Sequence, residues 1–215
     1  MAKKSSALDK AIKKRGSASR GMKFQSPKEE TGYLIEQVRA LAWEGKHARA
    51  IELATEALSH SKIKPAEQMN LLDLRAESYL VQLKYDLAEK DVMEMERLAK
   101  AENKPALKAQ ALVRKANLRA WQDRVEDTQR TAKSALKFAR LSKQKYLEAE
   151  SLFWLAWYGP NDICLRLAQQ AADLYLSLDL PSRAGRVLNM ATSRYINLGK
   201  YEEARRLIYS ALKYC

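Results

Sequence analysis

Apolar and small side chains recur along this chain at spacings of three and four, the period of one helix face, and that pattern itself repeats. Ala-Trp stands at Ala42-Trp43, Ala120-Trp121 and Ala156-Trp157, each time closing one amphipathic stretch ahead of a second. With the Trp at position 13 of a unit, units begin at Thr31, Ala109 and Lys145, and the same pattern starts two more at Met69 and Gly185. The starts lie 38, 40, 36 and 40 residues apart, a period of stacked supersecondary units rather than of one globule. Position 20 reads Ala50, Ala88, Thr128, Cys164 and Ala204. Position 24 reads Ala54, Val92, Ala132, Ala168 and Ile208, and position 27 reads Ala57, Met95, Ala135, Ala171 and Ala211. Small side chains on one face let a neighbouring helix approach closely, and Leu34, Leu72, Leu112 and Leu188 at position 4 supply bulk opposite them. Each unit is therefore expected to be a helix hairpin, helix A then helix B.

Proline supports the register. Pro27, Pro65, Pro105 and Pro181 each precede a unit start by four residues, and proline suits a first helical turn, where its missing N–H would be unpaired anyway. Ser26-Pro27-Lys28-Glu29 reads as a capping box that starts the first helix. With only seven glycines and five prolines in 215 residues, long uninterrupted helices follow.

Gly-Lys-His-Ala-Arg-Ala at 45–50, Lys-Tyr-Asp-Leu-Ala at 84–88 and Gly-Lys-Tyr-Glu-Glu-Ala at 199–204 resemble the A-to-B turn of the tetratricopeptide repeat. The family's glycine, aromatic and small residue fall at Gly45, His47, Ala50 and at Gly199, Tyr201, Ala204; Asp123 and Val125, then Asn161 and Cys164, depart from it in the third and fourth units. The resemblance implies an all-α, right-handed α-solenoid of five helix-hairpin repeats over residues 27–215, working as a protein-protein interaction module. It also permits a test for chaperone-tail binding, which uses Lys and Asn on successive A helices. Ile35, Arg39, Asp73 and Glu77 do not match that set, and Gln110 and Arg114 match it only in part, so this ligand class is disfavoured. The long period is similar to repeats of motor light chains and of sensor segments in signalling proteins and transcription regulators. A regulatory segment of a larger protein is thus one alternative.

Residues 1–26 read differently. Through Lys28 the chain holds nine Lys or Arg, among them Lys3, Lys4, Lys13, Lys14, Arg15 and Arg20, against the single acid Asp9. That is +8 of the total +13, with too little apolar surface to offset ordering entropy. A basic disordered arm is expected, either a solvated tail or a weak nucleic-acid contact made by counterion release. The second alternative function is accordingly a nucleic-acid-associated repeat protein. No apolar run approaches a membrane span or a secretory signal, which suggests a cytoplasmic protein.

Cys164 and Cys215 form no CxxC pair, and His47 and His60 are too few for a zinc site, so neither disulfide, metal nor other cofactor is expected. No phosphate loop or catalytic triad is present, and an enzyme is disfavoured. What remains is a binding surface. At 100° per residue, positions 2, 6, 9 and 13 of helix A share one side and should line a concave groove. From this set Arg39, Trp43, Gln110, Arg114, Asn117, Trp121, Tyr146, Phe153, Trp157 and Asn197 are the candidate partner-binding residues, for a protein or peptide. Tyr146, Phe153, Trp157 and Trp121 are expected to form an accessible aromatic cluster beside Arg114 and Asn117, with inter-helix core packing as the competing assignment. At the last B helix, Ile208 and Ala211 are expected to pack inward while Leu207, Tyr209 or Leu212 leaves an apolar patch suited to self-association.

Overall fold

A computed structural model of the protein describes residues 27–59 and 63–212. The arm residues named above, Ser26 of the capping box and His60 lie outside the described residues, as does the side chain of Ala211. Among the described residues ten helices follow one another in A-then-B pairs: α1 (Pro27–Trp43) and α2 (His47–Leu58), α3 (Pro65–Val81) and α4 (Tyr85–Glu102), α5 (Pro105–Trp121) and α6 (Val125–Leu141), α7 (Lys145–Tyr158) and α8 (Asn161–Leu176), α9 (Pro181–Asn197) and α10 (Tyr201–Leu212). Each helix packs on the next, and the A helices stack α1 on α3, α3 on α5 and α5 on α7. The result is an all-α solenoid of five hairpins, and among the described residues it contains no strand.

The repeat is written into the helix ends. Four of the five A helices are 17 residues long, begin at a proline and stop at position 13. The fourth lacks that proline, starts at Lys145 and runs for only 14 residues, which accounts for the short spacing before it. The fifth proline, Pro160, precedes α8.

The A-to-B turn recurs with one backbone solution. Gly45, Leu83, Asp123 and Gly199, all at position 15, take positive φ of 75°, 58°, 59° and 69°. In each turn the N–H of this residue bonds three residues back and the next N–H bonds five back, as in Gly45 to Ala42 at 3.1 Å with Lys46 to Leu41 at 2.8 Å, and Leu83 to Leu80 at 2.9 Å with Lys84 to Tyr79 at 2.9 Å. These bonds satisfy carbonyls that the helix end leaves open. In the fourth unit Gly159 is extended instead, because Pro160 follows it. A Cβ there would stand 3.0 Å from the Leu155 carbonyl oxygen.

The small-residue face is the core. Ala50, Ala88, Thr128, Cys164 and Ala204 are all buried, as are Ala54, Val92, Ala132 and Ala168. Ile208 departs from expectation: it is 42% exposed, beside exposed Tyr209 and Leu212, whereas Leu207 packs partly against the core. The reason is geometric. Position 24 faces the following unit, as Ala54 does in sharing a cluster with Leu71 of α3, and no described helix follows α10.

Leu83 holds a left-handed conformation that costs a β-carbon-bearing residue roughly 1–2 kcal/mol, and its exposed side chain recovers little of that. Leu83→Gly is expected to raise stability by about 0.5–1 kcal/mol and Gly45→Ala to lower it by about 1 kcal/mol, as read from denaturant midpoints.

Candidate partner-binding groove

Four A helices enclose a concave cavity of about 830 Å³. Positions 9 and 13 of α3, α5, α7 and α9 line it: Glu77 and Val81, Asn117 and Trp121, Phe153 and Trp157, Ser193 and Asn197. At its last step α7 and α9 meet through side chains, Arg183 and Arg186 of α9 reaching Glu150, Tyr146 and Phe153 of α7.

The expected aromatic cluster divides. Trp121 and Trp157 are 45% and 41% exposed at the cavity wall. Phe153, expected to be accessible, is only 2% exposed and forms part of the floor with Trp154, whose ring centroid lies 4.9 Å away. The Phe153 ring carries the Arg186 guanidinium at 4.5 Å on one side and meets Trp157 at 5.5 Å. Tyr146 stands outside the cavity, under the Arg183 guanidinium at 5.2 Å and edge-on to Tyr175 at 6.3 Å. Arg39 is paired with Glu36 on the exposed surface of α1 and Trp43 is exposed beyond the cavity, so the first unit contributes nothing to it.

Arg114 and Gln110 also differ from the groove anchors expected of them. Gln110 donates to Asn70 at 3.0 Å and to Asp73 at 3.1 Å. Arg114 is buried and donates to Asp73 at 2.6 Å and Glu77 at 3.0 Å, across to the preceding unit. A second centre lies one step on: Glu150 accepts from Tyr175 at 2.7 Å, Arg183 at 2.5 Å and, more weakly, Arg186 at 3.5 Å. Burial works against the charge of Glu77, yet Arg114, Arg183 and Arg186 outweigh it and hold this carboxyl below its usual range. Burial works against Arg114 and Arg183 too, and the surrounding acids raise both guanidinium values further. Tyr146 and Tyr175 are pushed well above the ordinary phenol value by burial and then by the Glu150 charge. Asp73, Glu77 and Arg114 thus form one centre and Glu150, Arg183 and Arg186 another, with Arg183 and Arg186 close enough to act on the Glu77 charge.

Trp154, Tyr158, Asn189 and Arg194 also line the cavity, though they stood outside the sequence-based set. They occupy positions 10 and 14 in the fourth unit and 5 and 10 in the fifth, next to the positions singled out, and the aromatic density of α7 was the available signal. Tyr158 donates to the Ala120 carbonyl at 3.1 Å and Arg194 donates to the Trp157 carbonyl, tying successive units at the rim. Among the described residues no cluster of His, Cys, Asp or Glu could hold a metal ion, and no helix is long and apolar enough to cross a membrane.

No protein-family model matches the chain. No curated protein matches it by sequence. Solved structures do match in fold. One is a Signal Transduction ATPase with Numerous Domains protein with a tetratricopeptide repeat sensor, from Pyrococcus horikoshii, at TM-score 0.67 and 15% identity over 87% of this chain. Another is BtubC (BKLC) from P. vanneervenii, at TM-score 0.61 and 18% identity over 98% of this chain and 88% of that one. The repeats are therefore tetratricopeptide-like in structure. This chain spans 30% of the length of the Pyrococcus protein.

Two outcomes separate wall from floor. Phe153→Ala should cost about 3–5 kcal/mol and Trp121→Ala less than about 1 kcal/mol, by chemical denaturation. The second outcome concerns acid. Because the Glu77 carboxyl is depressed in the folded state, the unfolded chain takes up the proton first as pH falls through the ordinary 4.5; the stabilisation is complete above that value and is lost as pH drops through the folded one. The stability difference between wild type and Glu77→Gln should stay constant above about pH 5.5 and shrink below it.

Proposed function

We propose that this chain is a partner-binding module that seats a segment of another protein in the concave cavity of its A helices. The observation that carries the reading is a pair of half-exposed indoles, Trp121 and Trp157, set over the buried aromatic floor of Phe153 and Trp154 in a cavity bounded by four helices. Large aromatic side chains lining a concavity are the residues that dominate binding energy at interfaces. They stay exposed here, although packing them between helices would stabilise the fold. Function in this reading is non-enzymatic, and the cytoplasm is its setting.

A sensor or regulatory segment of a larger signalling protein is the second reading, favoured by likeness in fold to a chain that carries such repeats as a sensor. Nucleic-acid contact through residues 1–28 rests only on their +8 charge.

Immobilised protein should capture a partner from native lysate, and Trp121→Ala and Trp157→Ala should each weaken capture by about tenfold or more while leaving the thermal midpoint nearly unchanged, as expected of binding hot spots. Capture that is indifferent to both substitutions, or that disappears with nuclease, would remove the cavity from the function.

A further inference from the structure

We infer that the outer face of the second and third hairpins is a separate binding surface, for double-stranded nucleic acid held by its phosphate backbone. It lies on the B helices, away from the A helices that line the cavity, and does not depend on the partner site.

Charge is distributed unevenly along the chain. Residues 104–145 hold twelve Lys or Arg against Asp123, Glu126 and Asp127, a net +9. Apart from these and residues 1–28, the chain sums to −4. The excess is also ordered in space. On α6, Arg130, Lys133, Lys137 and Arg140 follow at spacings of three and four, within about 80° of one another around the helix. They stand opposite its buried Thr128, Ala132 and Ala135. The row recurs on α4, where Lys90, Arg97 and Lys100 occupy the repeat positions of Arg130, Lys137 and Arg140. All seven side chains are exposed. The same positions are of mixed character in the neighbouring hairpins, with Glu52 and Thr55 in the first and Arg166, Gln169 and Asp173 in the fourth.

The acids around these rows are already engaged. Glu94 is held by Arg97, Asp127 by Arg124 and Arg130, and Glu148 by Arg140. Between the two helices, Glu96 and Glu89 of α4 are paired with Lys115 and Arg119 of α5. Asp86 and Glu126 stand in the first turns of α4 and α6, at the N-terminal end of each row, where they meet the positive end of the helix dipole. Lys90, Lys100, Lys133 and Lys137 make no hydrogen bond or ion pair among the described residues. Cations one helical turn apart repel each other and work against the helix. Folding therefore gives no reason for rows of a single sign.

The residue types select the partner. Lysine is depleted where proteins meet one another, and the cores of such interfaces carry few charges, whereas surfaces that bind nucleic acid are strongly cationic. Single strands are gripped by stacking their bases on aromatic rings. The rings of these two helices, Tyr85 and Phe138, are half-buried, and Lys108 lies over Phe138 at 5.7 Å. Phosphate contact without stacking fits a duplex. Arg130 to Arg140 spans ~15 Å along α6, the length of about four base-pair steps at ~3.4 Å each.

The test is titration of labelled DNA and RNA duplexes, about 20 base pairs long and of mixed sequence, with the full-length chain over a range of salt. Lys90→Gln, Lys100→Gln, Lys133→Gln and Lys137→Gln in combination should weaken binding of at least one duplex by about tenfold or more at ~0.1 M salt. The slope of log affinity against log salt should fall by about three to four, since each phosphate contact contributes ~0.9. A control combining Arg39→Gln, Lys46→Gln, Lys200→Gln and Arg205→Gln removes the same charge from the first and last hairpins. It should change the slope by less than about one. Both variants keep residues 1–28 intact, and both should keep the circular dichroism spectrum because all eight side chains are exposed. Equal effects of the two variants, or no binding of either duplex, overturn the inference. A loss as large toward poly-glutamate, a single strand or phosphatidylserine vesicles as toward a duplex overturns it too. The partner site is tested apart from all of these, by Trp121→Ala and Trp157→Ala.

Discussion

The close approach of helices over side chains of almost no size is the constraint on which this molecule rests. Ala50, Ala88, Cys164 and Ala204 stand at one position of successive B helices and are buried to within two percent of completely. Alanine costs little conformational entropy to order and leaves room for backbones to come within the lower range of helix spacing. A bulkier residue at any of these places would push two units apart and alter every step after it, since each unit in a solenoid touches only its neighbours. The curvature that makes a cavity is thus set on the outer helices and felt on the inner ones.

Inside, the same curvature brings together charges that are remote along the chain. Asp73 and Glu77 of one unit meet Arg114 of the next, and Glu150 meets Arg183 and Arg186 of the one after its own. Buried pairs of this kind add modestly to net stability, because desolvation offsets attraction, but removing either partner leaves a charge stranded. Their effect is one of register: each pair fixes how far one A helix is rotated against its neighbour. Glu77 and Arg186 of these pairs remain in the cavity wall, beside its aromatic rings and amides.

Much of the architecture was legible because it depends on local physics. A proline before each of four units and one residue class at each face position need only a helix to act, and the described helices begin and end where those residues place them. The fate of individual groove residues was less legible. Whether Arg114 is a free anchor depends on what stands opposite it one unit away, and that is decided by the pitch of the stack. Asp73 and Glu77, four residues apart on α3, are the complement visible in the sequence. Phe153 was misplaced for a similar reason: its position does face inward, but Arg186 of the next unit covers it. At Leu83 the sequence misleads in another way, since a leucine occupies the left-handed position that glycine fills in the first and fifth units. The turn there is fixed by the N–H bonds of Leu83 and Lys84 to the end of α3, not by the leucine side chain.

The step between α7 and α9 is joined by side chains: Arg183 and Arg186 reach Glu150, and Arg194 donates to the Trp157 carbonyl. The last hairpin provides one wall of the cavity, with Asn189, Ser193 and Asn197. Each unit of a solenoid touches only its neighbours, so whatever alters that wall reaches the exposed face of α10 through one hairpin. The last hairpin is therefore coupled to the cavity through the wall it provides.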